Sequence, residues 1–70
     1  MATTMFFEET LTDHGGKGEP VEFEFGRSSF YGENLLYFVI DGKTVIVSAA
    51  QGRRICEAMA SVGSYLGYDG

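Results

Sequence analysis

The segment Leu35–Val47, LLYFVIDGKTVIV, constrains this chain more than any other stretch. Asp41-Gly42 is the favoured two-residue type I′ turn, since both central positions need positive φ and Asp-Gly tolerates it. The β-branched and aromatic residues on either side predict two strands. A two-residue turn also fixes the register. Ile40 lies opposite Lys43, Val39 opposite Thr44, Phe38 opposite Val45, Tyr37 opposite Ile46 and Leu36 opposite Val47. Alternation then puts Leu36, Phe38, Ile40, Val45 and Val47 on one face, and Leu35, Tyr37, Val39 and Ile46 on the other. Small antiparallel sheets normally have one apolar and one wet face. This hairpin is apolar on both, so it needs two covers.

The chain has little material to supply them. Its 70 residues make one domain, 1–70. A chain of that size buries only about 60% of the surface it exposes when unfolded. Small domains compensate with disulfides, a metal or association. Cys56 is the only cysteine and His14 the only histidine, so an internal disulfide is excluded and the usual zinc ligand sets fall short. Association is the remedy left. With 44% hydrophobic residues the chain is expected to fold rather than stay disordered. Its longest apolar run, Leu35–Ile40, is far below the ~20 residues of a membrane span. The N-terminal MATTMFFEET lacks the basic and apolar regions of a secretory signal, and a lone cysteine fits a reducing compartment, so a cytoplasmic location is expected.

Net charge is −5, and all of it lies in the first half. Glu8, Glu9, Asp13, Glu19, Glu22, Glu24 and Glu33 stand against Lys17 and Arg27, whereas residues 34–70 balance Asp41, Glu57 and Asp69 with Lys43, Arg53 and Arg54. Binding to nucleic acid or to an anionic membrane rests on clustered Lys and Arg, so neither is expected as a direct partner.

The remaining elements follow from periodicity. Residues 5–12 read as a first strand, with Met5, Phe7 and Leu11 on one side and Phe6, Glu8, Thr10 and Thr12 on the other. Residues 13–20, DHGGKGEP, read as a loop. Residues 21–25 alternate cleanly, Val21, Phe23 and Phe25 inward, Glu22 and Glu24 outward. A bend follows over 26–32, then the hairpin. Ser48-Ala-Ala-Gln51 fits a capping box, and Ile55, Met59 and Val62 form the stripe of the helix it starts, with Cys56 beside them. Gly63 and Gly67 are both possible ends. The predicted architecture is α+β: a four-stranded antiparallel sheet and one C-terminal helix, β-β-β-β-α. A helix over 49–62 is about 21 Å long and about 10 Å across, enough to shield much of one sheet face. The other face would present Glu8, Glu22 and Glu24 beside Leu35, Tyr37, Val39 and Ile46. A polar-rimmed apolar patch of this kind marks an interaction surface, and these seven residues are the candidate protein interface.

Chemistry finds little support. GGKG at 15–18 lacks the spacing of a phosphate loop and leads into Glu19-Pro20 and a strand rather than a helix. Cys56 on an apolar stripe behaves as a small hydrophobe, and His14 sits in a glycine-rich loop with no third group to orient it. No catalytic residue, metal set or cofactor is assigned. Arg53 and Arg54 lie in early helical turns, where the dipole disfavours cations, which points either to sheet carboxylates or to a partner. Gly52 inside the helix suggests close packing on a neighbouring backbone, and the tail with Tyr65, Leu66 and Tyr68 is expected to dock on its own sheet or on a second subunit.

The expected function is therefore non-enzymatic protein binding through the uncovered sheet face, most simply as a homodimer. In size and charge the chain invites analogy with inhibitors encoded by phages or mobile elements, such as anti-CRISPR proteins and other DNA mimics, which occupy a basic nucleic-acid-binding protein. Two alternatives stand beside that reading. One is a homodimeric accessory or structural subunit with no nucleic-acid link. The other is a small enzyme or ligand-binding protein built at a dimer seam.

Overall fold

The hairpin forms as its sequence dictates and organises everything else. In the computed structural model, which describes residues 3–68, Asp41 (φ 52°) and Gly42 (φ 80°) occupy the turn with the positive φ values that type I′ demands. Strands β3 (Leu35–Ile40) and β4 (Lys43–Ile46) pair with Tyr37 opposite Ile46 and Ile40 opposite Lys43, and the Val47 amide donates to the Leu36 carbonyl one step further on. Strands β1 (Thr3–Leu11) and β2 (Val21–Ser28) complete an antiparallel sheet in the order β1-β2-β3-β4. Helix α1 (Ala49–Leu66) follows, so the fold is α+β with a single C-terminal helix.

β2 runs three residues past the alternating VEFEF, because Gly26, Arg27 and Ser28 find partners in both neighbouring strands. β1 carries a bulge. The register slips between Met5 and Phe7, leaving Phe6 as the extra residue. That slip inverts the parity at the start of the strand. Met5 pairs with Gly26, whose other partner is Tyr37, so Met5 is on the Tyr37 side rather than with Phe7 as strict alternation predicts. Phe6 instead borders a hollow with Phe25, Leu36 and Cys56 on the helix side.

The helix starts where expected and ends at the second of the two glycines the sequence offered. Ser48 is the N-cap, its Oγ accepting from the Gln51 amide at 3.2 Å. Gly67 (φ 78°) ends it, with the Gly67 amide donating to the Ser64 carbonyl and the Tyr68 amide to that of Gly63, the paired bonds of a Schellman cap. At 18 residues it is about 27 Å long, a full turn or more beyond a six-residue strand.

That overshoot matters less than how little the helix covers. It packs chiefly against β3, near its own start, where Gly52 sits against Leu36 and Val47. A Cβ at Gly52 would lie 3.4 Å from the Leu36 Cβ and 3.5 Å from a Val47 methyl, ordinary contact distances, so the neighbours are side chains and not the backbone approach the sequence suggested. Gly52 is the only buried residue of the helix, and Ile55 is half-buried. Met59, Val62 and Leu66 are 63%, 44% and 51% exposed, so the stripe that should close the core faces solvent over most of its length. Among the described residues the buried hydrophobic core is only Tyr37 and Val47. The Cα radius of gyration, 13.7 Å, exceeds the roughly 11 Å of a compact chain this long.

Candidate interaction surfaces

Register determines what each sheet face offers. On the helix side one row crosses all four strands: Phe7, Phe25, Phe38 and Val45. The next row holds Glu9, Phe23, Ile40 and Lys43. Four phenylalanines therefore meet. Phe7 and Phe25 stack at 5.2 Å between centroids, Phe23 meets Phe25 at 5.7 Å, and Phe38 lies 6.2 Å from Phe23 and 6.1 Å from Phe25. These distances fall in the range where aromatic pairs attract. None of the four rings is fully buried; all are half-buried. Between them and the helix lies an apolar cleft of about 260 Å³, lined by Phe23, Phe25, Leu36, Phe38, Ile55, Cys56 and Met59. The helix forms one wall and the aromatic sheet the other, with Ile40 (46% exposed) and Val45 (51%) at the unshielded margin.

The opposite face is the one the sequence singled out, and its seven residues do share it. Glu8 pairs with Glu24, which pairs with Val39; Thr10 pairs with Glu22; Tyr37 pairs with Ile46; Leu35 pairs with Ser28. Yet Tyr37 is not a surface residue. It is only 4% exposed, the most buried hydrophobic side chain among those described. The cause is Gly26 directly opposite: with no side chain there, the tyrosine ring lies across the gap, and a Cβ on Gly26 would come within 3.0 Å of the ring Cε1. The ring's far end donates a hydrogen bond from its hydroxyl to the Glu24 carboxylate. That bond, burial of the ring, and the negative charges of Glu24 and Glu8 push the phenol up to about 12, so it remains a donor throughout the physiological range. Leu35, Val39 and Ile46 are half-buried around it. Phe30 borders the same end, with Thr3, Ser28, Thr44 and Ile46.

The helix side thus carries more exposed apolar surface than a helix shielding it would leave, and the other face is partly closed by a tyrosine over a glycine. Exposed on that second side are the acidic Glu8 and Glu22, beside a hollow that Thr10, Glu24 and Val39 also line, with Met5 (52% exposed) and Phe30 (53%) toward its other end. Glu8 and Glu24 are direct cross-strand neighbours, an arrangement of like charges that weakens a sheet.

The other candidates resolve simply. In the GGKG loop the Asp13 carboxylate accepts from the amides of Gly15 (2.9 Å) and Lys17 (3.3 Å), so the chain's own anion occupies the donors a phosphate would use. Cys56 is exposed, at the cleft rather than under the helix. Arg53 and Arg54 are exposed and form no ion pair with a described sheet carboxylate. The tail does not dock on its own sheet: Tyr65 and Tyr68 are 87% and 81% exposed. No helix of the described residues is long and apolar enough to cross a membrane.

Sequence reasoning assigned the cleft residues to a closed core. One signal argued otherwise. The stripe Gly52, Ile55, Met59, Val62, Leu66 is a single file of side chains set against a sheet four strands wide. Comparison with protein-family models, with curated proteins and with solved structures finds no match to the chain.

Proposed function

We propose that this chain is a non-enzymatic protein-binding protein whose principal docking surface is the aromatic cleft between sheet and helix. The observation that carries the reading is the exposure of Met59, Val62 and Leu66 above four half-buried phenylalanines. Contiguous apolar surface of that kind is characteristic of interaction sites, and the described residues form no second element over it. A photo-crosslinking amino acid at Met59 tests it in cells that naturally make the chain. The expected result is a covalent adduct with protein from position 59 and none from Asp13 on the exposed loop. Equal labelling from both positions, or none from 59, contradicts the reading.

A second surface belongs to the same proposal. Placing Glu8 directly against Glu24, with Glu22 beside them, costs the sheet stability, and a basic partner would relieve that repulsion. This favours an acidic inhibitor that occupies a nucleic-acid-binding protein, of the kind phages and mobile elements encode. Replacing Glu8, Glu22 and Glu24 together by glutamine should weaken binding to an arginine-rich, protamine-like peptide at least tenfold and flatten its salt dependence. The measurement is titration calorimetry at two ionic strengths. Unchanged affinity would leave the acidic face with a solubility role and favour a plain accessory subunit.

A further inference from the structure

We infer that the aromatic cleft is closed by a second copy of this chain, in a two-fold dimer in which the helix of each protomer lies along the cleft of the other. The inference rests on the protein-binding reading above and names its partner.

Three observations support it. The first is area. A compact protein of 7.7 kDa exposes about 4,300 Å². This chain exposes 5623 Å², an excess of roughly 1,300 Å² over that compact value. A standard interface removes about 800 Å² per partner, and obligate dimers remove more. The excess, summed over the whole chain, is of the size that one protomer of a stable dimer covers.

The second is complementarity within one chain. Ile55, Met59, Val62 and Leu66 follow one another at spacings of four, three and four, the seam by which one helix packs on another. Only Ile55, at the inner end of that seam, is even half-buried. Each copy thus carries one unfilled apolar cleft and one unpartnered helical seam. A two-fold axis fills both at once, because an isologous interface uses the same patch twice. A foreign partner would have to bring the same seam from elsewhere.

The third is charge. Two acidic copies repel, yet the seam is flanked by Cys56, Ala58, Gly63 and Tyr65, none of them charged. Arg53, Arg54 and Glu57 lie off its line, and Glu8, Glu22 and Glu24 are on the opposite side of the sheet. Neutral flanks let two helices pack without placing like charges together. The dimer so formed turns both acidic faces outward, which leaves them available to a basic partner.

Sedimentation equilibrium and the rate of Cys56 alkylation, both followed from about 1 to 200 μM, test this together. The expected result is a mass of two chains at the upper end, with Cys56 labelling slowed at least tenfold as the dimer forms. Met59→Glu should raise the dissociation constant at least a hundredfold and restore fast labelling. Because Met59 is an exposed residue, the variant keeps its far-UV circular dichroism. Thr44→Lys, at an exposed position on the other face, should leave the mass unchanged. A chain that stays monomeric with Cys56 reactive overturns the dimer while leaving the cleft open for a different protein. A monomer with Cys56 protected at every concentration means that the helix closes on its own sheet, and overturns the protein-binding reading as well. A dimer abolished by Thr44→Lys but not by Met59→Glu places the contact on the wrong face and also overturns the inference.

Discussion

Gly26→Ala should abolish the cooperative fold. A methyl group at this position would lie 2.1 Å from the backbone oxygen of Thr4, 3.0 Å from the Met5 Cα and 3.0 Å from the Tyr37 ring. The first two contacts involve backbone, so no rotamer change relieves them. β1 must separate from β2 beside the Phe6 bulge, and Tyr37 must lift from its site and release Glu24. Overpacking costs about 1–3 kcal/mol where side chains can adjust, and more where they cannot. A chain of this length holds only about 4–10 kcal/mol in all. The expected outcome is loss of the thermal transition, or a fall in Tm of at least ~15 °C, by circular dichroism. Adding Tyr37→Ala should not rescue it, since the Thr4 oxygen remains. A Tm within ~3 °C of the parent would show that β1 is not held at this point.

Phe25→Ala should have the next largest effect, and its size should depend on concentration. Phe25 is the centre of the aromatic cluster, in ring contact with Phe7, Phe23 and Phe38. Truncating a fully buried phenylalanine costs about 3–5 kcal/mol. In one copy the ring is only partly buried, so about 2–3 kcal/mol is expected there, or roughly 10–20 °C in a domain of this size. In a dimer the ring is covered, and more is lost. Mass action raises the parent's Tm as concentration rises, because the paired state stabilises the folded chain. The variant's Tm should stay flat. Differential scanning calorimetry at 10 and 200 μM separates the cases. Parallel concentration dependence in both proteins would mean that Phe25 takes no part in association.

The hairpin, the Ser48 cap and the α+β order were legible in the sequence because local chemistry decides them. Asp41-Gly42 has one favoured turn, and Ser48 has one place to put its hydroxyl. Three features escaped because they depend on partners distant in sequence. The Phe6 bulge exists only relative to β2, and it moved Met5 to the other face. Tyr37 resembled a surface residue because alternation reports which face a side chain is on, not what lies opposite. Its burial is a property of Gly26, eleven positions away. The helix was expected to cover the sheet because its length and stripe suited that task. It approaches the sheet closely at Gly52, where the stripe has no side chain, and that closeness is not continued by Met59 and Val62. The seven candidate interface residues do share one face, but Tyr37 is buried there, and the more exposed apolar side chains, Ile40, Val45, Met59, Val62 and Leu66, are on the helix and its side of the sheet.

That placement has one direct test. Isotope-filtered nuclear Overhauser spectroscopy on an equimolar mixture of ¹³C-labelled and unlabelled chain detects only contacts between copies. The expected cross-peaks join the methyl groups of Met59 and Val62 in one copy to ring protons of Phe7, Phe25 and Phe38 in another. Cross-peaks that instead involve Leu35, Val39 and Ile46, or their complete absence at 200 μM, would contradict closure of the aromatic cleft by a second chain.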